Sequence, residues 1–181
     1  MWRWALILSM LALVGGLAAF VQQTNPDWAQ RVLRFDGAGR LAPLLAGAVF
    51  VGLAIVGAPV TALIGGLYVG FAPLLATTIA TGAYAVSAAL CHGIGRRFFA
   101  RAASETRNEA TQYLLDLARR RPFFASFIAR WLPLAPFGPV NIAFGAAATP
   151  FLPFLAGALA GGAPKILAIA LGNIGFSLFF P

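Results

Sequence analysis

Arg130 lies in Phe127-Ile-Ala-Arg-Trp-Leu-Pro-Leu-Ala-Pro-Phe-Gly-Pro-Val-Asn141, an otherwise apolar stretch. A guanidinium keeps its proton under all ordinary conditions. At membrane depth it costs at least about 2.5–3.5 kcal/mol. Pro133, Pro136 and Pro139 follow, so a regular helix cannot continue. A permanent charge beside broken backbone requires water, a polar partner or an anion. The chemistry such a group offers is a fork of donors for phosphate oxygens. Free N–H groups at broken helix ends and the Asn141 amide add further donors. The alternative use of the same charge is to clamp loop carbonyls, and the two uses can coexist.

Other chemistry is thinly represented. Cys91 is the only cysteine and His92 the only histidine, so neither a disulfide nor a metal cluster can be assembled. There is no nucleophile–base pair and no phosphate-binding glycine loop. The expectation is a protein that is not an enzyme and carries no cofactor. His92 has the one side chain whose ordinary pKa falls near neutrality, but it sits near a helix end, away from the broken segments, and is not expected to carry protons.

Composition sets the class. Of 181 residues 60% are hydrophobic and 10% charged, and the mean hydropathy is +0.84. Soluble domains average about 25% charged residues, so this is a polytopic membrane protein. The formal charge of +8 does not point to nucleic acid. The arginines flank apolar segments, where an anionic membrane surface is the natural partner.

The elements that must position Arg130 follow from hydropathy and breakers. Trp4–Val21 can span as a retained helix, with a cleaved signal peptide as the alternative. Gln22–Arg40 suggests a short interfacial helix beginning at Asn25-Pro26-Asp27. Leu41–Ile94 contains no Asp, Glu, Lys or Arg. It is expected to descend to about Val56 and break at Gly57-Ala58-Pro59. A short return through Gly65–Gly70, with the glycines Gly65-Gly66-x-x-x-Gly70, then leads to a full helix at about Leu74–Gly95. Gly82, Ala83, Ser87, Ala88 and Ala89 give that helix a small face, suited to close packing. Arg96–Arg121 is basic and has helical apolar spacing. It predicts an amphipathic surface helix with pairs Arg101–Glu105 and Asp116–Arg120. Beyond Pro122, Phe123–Arg130 is helix-like, 132–139 is not, and Val140–Gly145 resumes. The apolar remainder is one kinked helix or two, interrupted at Gly161-Gly162-Ala163-Pro164. Lys165 is expected to snorkel to an interface.

Topology narrows the fold. The positive-inside rule puts Arg3 and Arg96–Arg121 in the cytoplasm. Leu41–Pro73 must then begin and end on the outer side, and Phe123–Thr149 enters and leaves from the cytoplasm. The expected fold is an all-α integral membrane protein with two oppositely oriented re-entrant hairpins, each followed by a transmembrane helix. Residues 1–40 form an N-terminal part. Residues 41–181 form one membrane domain, divided into a first unit 41–95, a basic linker 96–122 and a second unit 123–181. Broken segments of inverted repeats meet near the midplane and mark binding sites. The candidate substrate-binding residues are therefore Pro59, Gly65, Gly66 and Gly70 in the first hairpin, and Arg130, Pro133, Pro136 and Asn141 in the second. The prolines mainly set its shape.

Gly57-Ala-Pro59, Gly65-Gly66-x-x-x-Gly70, a small-residue helix ending at Gly95-Arg96, and Arg130-x-x-Pro133-x-x-Pro136-x-x-x-x-Asn141-x-x-x-Gly145 together resemble the DedA-like, VTT-domain (SNARE-associated Golgi protein) superfamily. The TVP-type, Golgi vesicle protein-like branch is the most similar. The resemblance covers about Leu41–Gly172. It implies opposed re-entrant hairpins and lipid transport, by phospholipid scrambling or polyprenyl-phosphate movement. Some relatives carry intramembrane acids linked to proton coupling. Neither apolar half of this chain has one, so passive movement is the simpler expectation. The expected partners are phosphate-bearing membrane lipids, with no nucleic acid and with self-association open. An alanine-rich composition with a single lysine suggests a bacterial inner membrane. A small-anion or solute transporter and a non-transporting scaffold are the competing functions.

Overall fold

A computed structural model describes residues 37–105, 108–131 and 136–179. The helix expected at 4–21 and most of the segment 22–40 lie outside these residues. Every described element is helical, as expected for the class.

After a single turn at Gly39–Leu41, α1 (Ala42–Val56) begins with Pro43 in its first turn, where a missing N–H costs nothing. It ends because Gly57 takes φ 104°. The Gly57 N–H donates to Ala54 O and the Ala58 N–H to Leu53 O at 2.9 Å, closing the α-helix with a left-handed residue. Pro59 then opens α2 (Val60–Gly70) from an extended conformation. The short return expected through Gly65–Gly70 is the end of α2, and the glycines within it make no turn. Gly65 and Gly66 sit inside α2, and the second break falls later, at Phe71-Ala72, before Pro73 opens α3 (Pro73–Ile94). Glycine lowers helix propensity by only about 1 kcal/mol, which packing of Ile64, Leu67 and Tyr68 outweighs. The Tyr68 hydroxyl donates to Thr77 Oγ1 at 2.6 Å, and Thr77 in turn donates to Pro73 O. This ties the end of α2 to the start of α3.

The small face of α3 is real and buried. Ala76, Ala80, Ala83, Ser87 and Cys91 recur every three or four residues and are all buried. Gly82 is not part of it. A side chain there would meet nothing within 4 Å, because Gly82 is on the outer side of the helix. Nor does the helix end at Gly95. It continues through a π-turn at Gly95–Phe99 into α4 (Ala100–Ser104), so that 32 residues from Pro73 to Ser104 form one apolar-to-basic rod. The basic linker is therefore not a single surface helix. Its first part prolongs α3, and only α5 (Glu109–Arg120) is separately amphipathic. Arg101 pairs with Glu105 at 2.9 Å. Asp116 pairs with Arg119, at 3.3 Å, and not with Arg120, since Arg119 is held nearby by its bond to Ala147 O at 2.7 Å. These exposed pairs are worth tenths of a kcal/mol.

The second half repeats the order of helix, break, helix and long helix. It consists of α6 (Pro122–Ala129), a break that includes Arg130 and Pro136, α7 (Phe137–Ala146) and α8 (Phe151–Phe179). The helix resumes earlier than expected. Phe137, Gly138 and Pro139 form the first turn of α7, where proline lacks no needed hydrogen bond. Gly161–Pro164 does not divide the last segment, and α8 runs unbroken with Pro164 inside it.

Close glycine contacts give the helix directions. A side chain on Gly157 would strike Phe123 O, and one on Gly161 would strike Phe127 O, so α6 and α8 run parallel. Gly47 faces Ile79 near the start of both α1 and α3, and Gly57 and Tyr84 line one cavity further on, so α1 and α3 run parallel too. Tyr84 meets Gly162 while His92 stacks on Phe154, so α3 and α8 are antiparallel. α7 packs across α3 and its π-turn. Gly39–Val56, Pro73–Ser104 and Phe151–Gly172 are long and apolar enough to cross a membrane, and Val60–Gly70 and Phe137–Ala146 are shorter. The protein is an integral membrane protein.

Candidate functional site

The two breaks meet at one cavity of about 270 Å³. Gly57, Ala58 and Pro59 come from the first break, Arg130 and Pro136 from the second, Tyr84 from α3, and Gly162 and Lys165 from α8. Each break supplies what a regular helix cannot: an abrupt change of direction that exposes backbone and end-on side chains.

Arg130 caps the end of α6 and is only 6% exposed. Its Nη2 donates to Asn141 Oδ1 on α7. Its guanidinium carbon lies 5.1 Å from the Phe137 ring centroid and 5.8 Å from that of Tyr84. The two rings meet edge to face at 4.8 Å. Such cation–π contacts stabilise a desolvated cation by about 0.5–2 kcal/mol each, which offsets part of the cost of burying it. Among the described residues no carboxylate approaches, because Glu105, Glu109 and Asp116 all lie in the exposed linker. Arg130 Nε and Asn141 Nδ2 are both buried and have no hydrogen-bond partner among the described residues. Unpaired buried donors cost about 1–3 kcal/mol each.

Lys165, expected to snorkel to an interface, has a partner within the protein: its ammonium donates to Arg130 O, the carbonyl where α6 ends. Among the described residues, the clamp onto broken backbone is made by Lys165, and the Arg130 fork donates to the Asn141 side chain. Two small residues make room. A side chain on Gly161 would come within 2.9 Å of Arg130 Cγ, and one on Gly162 within 2.7 Å of Tyr84 Cζ. The signal for Lys165 was its position as the one charge in the last apolar segment. For Tyr84 and Phe137, the sequence carries no signal distinguishing them from core aromatics.

Of the expected site residues, Pro59, Pro136, Arg130 and Asn141 come together, Asn141 through its bond to Arg130. Pro133 is outside the described residues. Gly65, Gly66 and Gly70 belong to α2 and do not line the cavity. Among the described residues no group of three or more His, Cys, Asp or Glu is placed to hold a metal ion.

His92 is remote from this cavity. It is 3% exposed, stacked on Phe154 with centroids 4.8 Å apart and within 3.1 Å of Thr149 O and 3.2 Å of Thr149 Oγ1. Thr149 Oγ1 already donates to Phe144 O, so both partners accept and His92 Nε2 carries the hydrogen. The ring cross-links α3 to the α7–α8 corner. His92→Gln, which can still donate there, is expected to retain most activity between about pH 6 and 8, the range in which histidine titrates. Complete loss in a normally folded variant would instead make it a proton carrier.

The family model for the VTT domain matches residues 44–173, which includes every residue of the cavity. No curated protein matches the chain, and no solved structure does.

Proposed function

This chain belongs to the VTT-domain family, and from that premise we propose that it moves phosphate-bearing lipids, phospholipid or polyprenyl phosphate, between leaflets. The observation that carries the reading is the Arg130 cavity. It has a fixed cation, a second cation in Lys165, no described acid, and buried donors on Arg130 and Asn141 awaiting acceptors. A lipid phosphate supplies negative charge and acceptor oxygens together. Its acyl chains remain in the bilayer while the headgroup passes the meeting point of the breaks.

The element order supports an inverted repeat of two re-entrant hairpins. In each half the first arm runs parallel to its own long helix, and the long helices are antiparallel. At 1.5 Å per residue, the 11-residue α2 is about 16 Å long, half of a hydrocarbon core near 30 Å. Irregular backbone at that depth survives only against protein or water, which a hydrated lipid path provides. On this reading, cysteines at Arg40 and Ala72, with Cys91 replaced by alanine, label from the same side of the membrane. Opposite sidedness would overturn the hairpin. We further place the arginine-rich linker in the cytoplasm of a bacterial inner membrane, with no enzymatic step.

The cavity volume also suits a small free anion, which makes an anion transporter the second reading. Purified protein in vesicles separates the two. Exchange of a labelled phospholipid without phosphate uptake supports lipid movement. Phosphate uptake without lipid exchange supports the second reading, and neither activity points to a scaffold.

A further inference from the structure

We propose that α5 is a docking surface for an anionic membrane leaflet, separate from the cavity and independent of what passes through it. The apolar arc of this helix is wider than the protein covers. Ala118 is buried and Leu115 packs on the core, but the adjoining sector is open: Tyr113 is 70% exposed, Leu114 63% and Leu117 40%. The helix cannot roll to hide them, because Arg119 Nε donates to Ala147 O at 2.7 Å from its other side. The open sector therefore faces outward by construction.

Charge and position select the occupant. Arg120 and Arg121 are exposed; Arg120 stands at about 20° on a wheel where Tyr113, Leu117 and Leu114 occupy about 40–140° at 100° per residue, and Arg121 follows at the bend that ends the helix. Neither has an ion pair among the described residues, since Asp116 is taken by Arg119. Glu109, the remaining acid of the helix, is at its opposite end. At Pro122 the chain turns directly into the apolar arm α6. The open sector thus adjoins an apolar arm of the fold. An apolar stripe bordered by Arg120 and followed by Arg121 fits acyl chains below and lipid phosphates above. A soluble protein partner would have to compete with the bilayer for the same surface.

The test is made on the whole chain and reads docking, not transport. Leu114→Cys, with Cys91→Ala, carries an environment-sensitive fluorophore in vesicles of phosphatidylcholine alone or with phosphatidylglycerol added. The label is expected to be shielded from an aqueous quencher only when phosphatidylglycerol is present. Each basic residue near an anionic surface contributes about fivefold to affinity, so Arg120→Gln with Arg121→Gln is expected to lower the ratio of shielded to quenched label by about 30-fold. High salt should act in the same direction. A label that is quenched in both lipids, shielded equally in both, or unaffected by the double substitution overturns the proposal.

Discussion

Arg130→Gln is expected to slow movement of phosphate-bearing lipids sharply while the protein still inserts and remains monodisperse in detergent. Glutamine can keep a hydrogen bond to Asn141, so the α6–α7 link that Arg130 makes has a substitute. What it cannot keep is the charge. A hydrogen bond to a charged group is worth about 1.5–3 kcal/mol, so a rate limited by phosphate capture falls by about ten- to hundredfold. Arg130→Lys retains the charge but concentrates it at one point. It cannot bond Asn141, lie across Tyr84 and Phe137 and present a second donor at once, and it is expected to transport poorly too. Wild-type exchange in both variants would falsify the phosphate site. Aggregation of both would make Arg130 a purely structural residue and leave its transport role without support.

Gly145→Ala is expected to cost more in stability than any change in the cavity. Its new carbon would lie 1.9 Å from His92 O, and the reciprocal carbon on Gly95 2.0 Å from Ile142 O. Both obstacles are backbone, on two helices that cross in direct contact, so neither can rotate away. Overpacking a close-packed interior costs about 1–3 kcal/mol and sometimes more; a backbone-to-backbone clash belongs at or beyond the upper end. The measurement is thermal aggregation of the detergent-solubilised protein. Gly82→Ala is the matched control, since an added carbon there meets nothing within 4 Å. It should be neutral or slightly stabilising, because alanine is the better helix former by up to about 1 kcal/mol. Equal melting of the two variants would show that α3 and α7 do not cross this closely.

These two outcomes also mark where sequence is a sufficient guide. Gly57-Ala58-Pro59 could be placed as a break because a left-handed glycine followed by proline ends a helix whatever surrounds it. Arg130 could be singled out because its cost in an apolar segment is independent of context. Gly65-Gly66, Gly82 and Gly145 could not be told apart. Glycine in a helix means a turn, a bare outer face or a crossing, depending on a neighbour that is distant in the chain. The Lys165 contact was hidden for the same reason: its partner, Arg130 O, is 35 residues away in the chain, at the end of α6. Local backbone rules were legible; pairings made by tertiary contact were not. The VTT match extends over both halves, in keeping with the span of the motifs, but does not select the TVP-type branch.

Lys165 is also the only lysine in the chain. Amine chemistry on this protein therefore has a single side-chain target, and that target is at the wall of the cavity. An ammonium engaged by the Arg130 carbonyl, or by a bound phosphate, is withheld from acylation until it lets go and loses its proton. The rate at which an amine-directed reagent modifies Lys165 thus reports how often the site opens. The α-amino group aside, the protein carries its own occupancy probe, since every other permanently cationic side chain is arginine.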